Sequence, residues 1–227
     1  ELATRTLGIP RLERLRLSSI EPLEVVPEVI ELMAQHPLMA KHFHVPLQSG
    51  SSRVLRAMRR PYSPEYYGDL TERIRQRIPD AAIGADVMVG FPGETDDDFR
   101  ATYQLIENSP LTYLHVFPYS SRPGTVAADM PNAVPEHVSR FRGRALRKLI
   151  ARKNEDFRRT MIGRQIEVLT LDDGTAISSN FLRVSLPAVY PLNEWMRVVV
   201  TGLDGNGIQA SNITTAHETS SSWVSET

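Results

Sequence analysis

An α/β protein built on a parallel sheet and followed by a small all-β domain is the fold this sequence predicts, and three observations carry the prediction. Short apolar runs alternate with amphipathic stretches over residues 1–160, the pattern of repeated β-α units. After Ile162-Gly163 the texture changes to short alternating runs broken by Asp-Asp-Gly and Asp-Gly-Asn-Gly turns. The length of 227 residues, with 41% apolar and 23% charged side chains, suits one large domain with a small companion rather than a collagenous, disordered or membrane chain.

The elements follow in order. The opening residues, which begin at Glu1 rather than a methionine, read as a fragment starting in the tail of a helix that stops at Gly8-Ile9-Pro10. A first strand is expected at Leu12–Leu17 with a helix at Val25–Gln35, and a second strand at Phe43–Leu47 with helices at Ser52–Met58 and Pro64–Arg77. Pro37 and Pro61 punctuate these pieces. The third strand is expected at Ile83–Val89 with a helix at Asp96–Glu107. The fourth, Tyr113–Pro118, leads into a long helix at Pro135–Thr160. That makes four β-α units in 1–160, a β domain in 161–213 and a polar, Ser-rich tail in 214–227.

Composition excludes several chemistries. With no cysteine, the chain forms no disulfide, no thiolate zinc site and no iron–sulfur cluster on its own thiols. A net charge of −1 gives no overall field toward nucleic acid, so any such binding must be local. No window approaches the ~18 apolar residues of a membrane span and no secretory signal pattern opens the chain, so a cytoplasmic protein without membrane partners is expected.

Four motifs bear on function. In Gly90-Phe-Pro-Gly-Glu-Thr95, the acids Glu94, Asp96, Asp97 and Asp98 oppose phosphate, and Thr95 with Asp98 has the spacing of a capping box. His42 and His44 share one strand face, with Asp86 and His115 near the same level. This set suits zinc or iron in a metal-dependent hydrolase, or else consists of hydrogen-bonded barrel histidines. Gln48-Ser-Gly-Ser-Ser falls at the carboxyl end of a strand, where α/β proteins bind ligands, although Ser51 or Ser52 also suits a helix cap. Basic residues form two runs. Arg53, Arg56 and Arg60 lie on one helix face, which reads as solvated. Arg140–Arg159 holds nine cations against Glu155 and Asp156, a local +7 that invites phosphate unless those side chains only solvate a helix buried along Leu146, Leu149 and Ile150.

Taken together, RLRLSSIEP (14–22), HFHVPLQSGSSRVLRAMRRPYS (42–63), DVMVGFPGETDDDF (86–99) and LHVFPYSSRPGT (114–125) resemble the radical-SAM methylthiotransferases of the MiaB type. The likeness covers about 16–160, and the segment after Gly163 resembles the TRAM RNA-binding domain. Within the family, the serine-rich first motif and the last motif look most like the MtaB-type branch, which methylthiolates threonylcarbamoyladenosine beside the tRNA anticodon. The resemblance implies the C-terminal part of a partial parallel (β/α) barrel followed by a small TRAM-like domain. The family uses S-adenosyl-L-methionine and two 4Fe-4S clusters; the cysteines that hold them are absent from these 227 residues. The chain alone is therefore expected to be inactive.

By the same resemblance, Gln48 and Ser49 face the cofactor's ribose and methionyl group, with Ser18 at their level. Asp86, Met88 and Gly90 alternate inward around the adenine, and Phe117 and Tyr119 present backbone edges to that ring. Arg16 binds a carboxylate or else pairs with Asp86. The implied partners are a tRNA anticodon stem-loop, held by Arg147, Lys148, Arg152 and Lys153 with the TRAM-like segment, and an electron donor that reduces the cluster. No metal ligand is assigned within the chain. A non-catalytic RNA-binding half-barrel is the alternative.

Overall fold

In the computed structural model residues 2–212 are described, and the chain divides between Phe157 and Arg158 into two compact units. The first is organised around a three-stranded parallel sheet of order β1-β2-β3, formed by His42–His44, Ala82–Val89 and Tyr113–Pro118. Register is fixed by pairs such as Phe43↔Ile83 and Asp86↔His115. Along β2 the side chains alternate. Ile83, Ala85, Val87 and Val89 are buried in a core shared with Leu70, Ile74, Ile106 and Leu146, whereas Gly84, Asp86 and Met88 form the opposite face.

Among the described residues six α-helices accompany the sheet: α1 (Leu2–Leu7), α2 (Pro27–Gln35), α3 (Ser52–Ala57), α4 (Pro64–Arg77), α5 (Asp96–Asn108) and α6 (Glu136–Arg159). Their starts are set locally. Ser51 accepts from the Val54 N–H and Ser63 from the Tyr66 N–H, while Pro27 and Pro64 occupy first-turn positions that need no N–H donor. Thr95 and Asp98 form the complete reciprocal capping box at the start of α5.

Two expected strands come out differently. Leu12–Leu17 is not a regular strand: it meets the sheet through one parallel bridge, Leu15↔Met39, with Leu15 N–H on Leu38 O and Ala40 N–H on Leu15 O. Among the described residues no strand pairs with its other side, so nothing propagates a ladder there. The strand expected at Phe43–Leu47 is regular only over His42–His44. Beyond it the chain stays bonded to β2, with Val45 N–H on Gly84 O at 2.9 Å and Leu47 N–H on Asp86 O at 3.1 Å, and Pro46 between them falls where an N–H would face away from β2, up to the Gln48↔Val87 bridge.

The second unit is a closed five-stranded barrel of order β4-β5-β6-β8-β7, from Gln165–Thr170, Thr175–Ser178, Arg183–Ser185, Trp195–Asp204 and Gly207–Asn212. All pairs are antiparallel except β6 with β8. Val168, Ala176, Val184, Val198, Val200, Ile208 and Ala210 are the buried apolar residues of its strands. Gly205-Asn206 makes the two-residue turn between β7 and β8, and Arg158 donates to the carbonyls of Gly205 and Gly207. The expected tail at 214–227 lies outside the described residues. No described helix is long and apolar enough to cross a membrane.

Candidate functional site

At the carboxyl end of the parallel sheet lies a cleft of about 670 Å³, the position where open α/β sheets bind ligands. Gln48, Met88, Phe117 and Tyr119 line it, joined by Phe91, Met58, Val126 and Met130. Gln48 is carried there by an unusual backbone: its φ is 64°, its N–H donates to Asp86 O at 2.8 Å, and its carbonyl accepts from Met88 N–H at 2.9 Å. These bonds fix the residue against β2 despite the left-handed conformation. Phe117 is half exposed at 51%, an open apolar wall.

Other expected cofactor contacts are engaged elsewhere. Ser49 is fully buried. Its hydroxyl sits 3.3 Å from Thr102 Oγ1 on α5 and accepts from Ser51 N–H at 3.2 Å, so it is a folding contact rather than part of the cleft. Gly50 follows because a Cβ there would lie 2.5 Å from the Thr102 backbone. Ser51 caps α3 and donates to Asp98 at 2.6 Å. Burial works to raise the Asp98 carboxyl pKa, but hydrogen bonds from Arg53, Ser51 and Thr95 outweigh it and hold the group well below the ordinary carboxylate range.

Gly90 and Tyr119 also depart from expectation. The close approach that Gly90 permits, at φ 77°, is to Ser139 of α6, and its N–H donates to Glu94 at 2.7 Å. It borders a smaller depression beside Tyr119 and Ser139 instead of the main cleft. The Tyr119 N–H is already given to Val89 O at 2.8 Å, so that donor is not offered to the cleft the residue lines.

On the face of the sheet that carries Asp86, side chains knit the three strands together. Asp86 Oδ1 accepts from His44 Nε2 at 3.0 Å and from His115 Nδ1 at 3.1 Å. These three ligand atoms lie within 4.8 Å of one another, so the structure gathers three of the four expected metal-type residues. His42 is held separately. Its Nδ1 accepts from Arg16 Nε at 3.2 Å, which leaves the Nε2 proton for Tyr113 Oη at 2.9 Å. Burial and the neighbouring Arg16 push His42 down to about 4, so the ring is neutral. Tyr113 has room for its ring only because residue 84 is glycine; a Cβ there would fall 1.8 Å from Tyr113 Cζ. Arg16 thus serves this network, and neither Arg16 nor the exposed Ser18 lines the cleft.

The basic stretch of α6 is largely engaged. Arg142 is buried and forks onto Glu94 and Asp96, both at 2.7 Å. Burial still pushes the Glu94 carboxyl above its ordinary pKa, against the pull of Gly90 N–H and Arg142. Arg147 donates to Val116 O at 3.0 Å, Arg152 to Glu107 at 3.3 Å, and Lys153 to the carbonyls of Glu107 and Ser109 at 2.8 and 2.6 Å. Burial, helped by Arg152, lowers the Lys153 pKa. Arg144 and Lys148 are exposed, with no side-chain partner among the described residues. The sequence reading missed the cleft residues Arg59, Arg122 and Met130. The Arg122-Pro-Gly turn after β3 was the signal available for one of them.

The sequence profile of the Radical SAM superfamily matches residues 2–106. Threonylcarbamoyladenosine tRNA methylthiotransferase MtaB of Aquifex aeolicus is 33% identical over 199 residues, 88% of this chain and 48% of that protein. Two proteins named tRNA-2-methylthio-N(6)-dimethylallyladenosine synthase are similar over a shorter span. That of Thermobifida fusca is 44% identical over 72% of this chain and 33% of its own length; that of a Mycobacterium species (strain MCS) is 46% identical over 71% and 31%. The chain spans about half or less of the length of these relatives. The parallel β/α sheet, the small β-barrel after it and these relatives agree: the chain belongs to the radical-SAM methylthiotransferase family.

Proposed function

We propose that this chain is the cofactor- and RNA-positioning part of a tRNA methylthiotransferase that modifies threonylcarbamoyladenosine beside the anticodon. The cleft at the carboxyl end of the sheet is the observation that carries the reading. Its apolar floor of Met88, Phe91 and Phe117, with the Gln48 amide at its edge, fits the adenosyl portion of S-adenosyl-L-methionine: a soft thioether and aromatic faces against a planar base, and one amide for a polar group. With no cysteine, the same residues do not fit a 4Fe-4S cluster, so cluster ligands and competence belong to the whole protein. Bound at its cluster, S-adenosyl-L-methionine supplies the methyl group and, with an electron donor, the radical chemistry of the family.

What this chain's residues do is narrower. Gln48 orients the cofactor from a backbone locked to β2, Met88 and Phe117 exclude water from the adenine, and Tyr119 closes the wall. Asp86, His44 and His115 brace the strands beneath that wall. RNA contact on α6 falls first to Lys148, beside Arg144, because Arg147, Arg152 and Lys153 already hold internal acceptors. The match over 88% of the chain to a threonylcarbamoyladenosine enzyme supports that substrate.

Nucleoside analysis of tRNA tests the reading. A strain lacking its own methylthiotransferases and expressing the whole natural gene is expected to accumulate 2-methylthio-threonylcarbamoyladenosine. Accumulation of the dimethylallyl derivative instead transfers the assignment to the other substrate, and tRNA without methylthiolated adenosine refutes the reading.

A further inference from the structure

The charge of the cleft is one-sided. Arg59, Arg60 and Arg122 line it, and no carboxylate does. Arg60 is paired with Glu21 at 3.2 Å. Arg59 and Arg122 are both exposed, and neither guanidinium has an ion pair or hydrogen bond among the described residues.

Both arginines are held by their backbones. Arg59 follows α3 in a left-handed conformation, φ 56°, while Arg60 N–H reaches back to Leu55 O at 2.9 Å and closes the helix end. That position favours glycine, yet here it carries a cation to the cleft mouth. Arg122 opens a tight turn: Thr125 N–H and Thr125 Oγ1 both donate to its carbonyl, at 3.2 and 2.8 Å, and Gly124 supplies the φ of 80° that the turn requires. Two unneutralised guanidiniums, carried on backbones that hydrogen bonds hold in different elements, therefore border one apolar floor.

We propose that Arg59 and Arg122 hold backbone phosphates of the substrate RNA strand on either side of the adenosine presented at the cleft mouth. The inference rests on the reading of the whole protein as an RNA-modifying enzyme and adds the residues that seat its substrate. With the floor of Met88, Phe91 and Phe117 given to the cofactor's adenine, the two arginines face the strand outside it, and a strand carrying repeated phosphates engages cations from two elements at once, each through a guanidinium fork. A carboxylate on the base itself offers the same anionic oxygens, so the test separates the two sources.

The experiment measures binding of a synthetic anticodon stem-loop to the whole protein by fluorescence anisotropy across a salt series. Arg59→Gln and Arg122→Gln are compared, alone and together, with Arg56→Gln, a change at an exposed α3 residue that does not line the cleft. Each rim substitution is expected to reduce the slope of log K against log salt by roughly 0.7–0.9, the pair by about twice that, and Arg56→Gln not at all. Arg→Lys at either position is expected to restore most of the slope, with melting temperatures unchanged throughout.

Every measurement is repeated on stem-loops carrying plain adenosine and threonylcarbamoyladenosine. Equal slope changes on both RNAs support phosphate contacts. A change confined to the carboxylated RNA assigns the rim to the base and overturns the proposal, as do unchanged slopes on both. If the unsubstituted protein binds neither RNA, the RNA-modifying reading fails and this inference with it; if it binds normally and the variants match it, only the rim assignment fails.

Discussion

The cations of α6 and those at the cleft mouth look alike as residue types but differ in what they already hold. On α6, Arg142 is buried against two carboxylates, Arg147 and Lys153 are bonded to carbonyls, and Arg152 is paired with Glu107. At the cleft, Arg59 and Arg122 are exposed and unengaged among the described residues. Local charge density therefore overstates what α6 offers a phosphate. A guanidinium bonded to a backbone carbonyl retains its charge, but its donors are occupied and its position is dictated by the fold.

The largest expected effect breaks this contrast at its buried end. Arg142→Met strands Glu94 without its cation and should cost about 3–5 kcal/mol in chemical denaturation. Arg144→Gln and Lys148→Gln should stay within about 0.5 kcal/mol of the parent. Similar losses at all three positions would show that engaged and free cations on this helix do not differ.

The second effect concerns Arg16, whose partner is a neutral imidazole. Because the folded pKa of His42 is about 4, below its usual value, the unfolded chain binds more protons between about pH 6.5 and pH 4. Stability should therefore fall as pH is lowered through that window, by at most roughly 3 kcal/mol, and the His42 contribution should then level off. Below about pH 4 the loss passes to Asp98, whose depressed carboxyl stabilises the fold until it is protonated. Denaturation midpoints across pH, with His42→Asn as control, check the sign. A stability that rises on acidification from pH 6.5 contradicts it.

Smaller changes sharpen the local account. Thr95→Ala should cost about 0.5–2 kcal/mol through the lost cap while leaving activity per folded molecule unchanged. In a salt series with tRNA, the triple replacement of Arg147, Lys148 and Arg152 by alanine should flatten the binding slope by about one unit of roughly 0.7–0.9, matching Lys148→Ala alone. A drop of two to three such units would show that the internal bonds of Arg147 and Arg152 give way to RNA.

Where the sequence was readable, local chemistry decided the structure. Pro64 with Ser63 bounds α4, the Thr95/Asp98 spacing makes the cap, and alternation along β2 separates core from the opposite face. Gln48, Met88, Phe117 and Tyr119 meet at the cleft. Ser49 and Gly90 lie away from the cleft because a left-handed residue before one and the glycine φ of the other turn the chain toward α5 and Ser139. The engagement of α6 arises from partners distant in sequence, such as Glu94, 48 residues from Arg142, which no local pattern announces. The arginines of the rim stand out for the opposite reason: among the described residues neither guanidinium has a hydrogen-bond or ion-pair partner.

Gln48 and Ser49 are adjacent in sequence and opposite in role, and they give the most direct test of the cleft as the working site. In the whole protein, methylthiolated adenosine formed per folded molecule is measured by mass spectrometry for Gln48→Ala and Ser49→Ala, alongside unfolding curves. Gln48→Ala should lose most of the turnover at unchanged stability. Ser49→Ala should lose about 1–3 kcal/mol of stability, as its buried partners go unsatisfied, while keeping activity per folded molecule. Full turnover in Gln48→Ala, or a selective loss of turnover in a stably folded Ser49→Ala, would contradict the account.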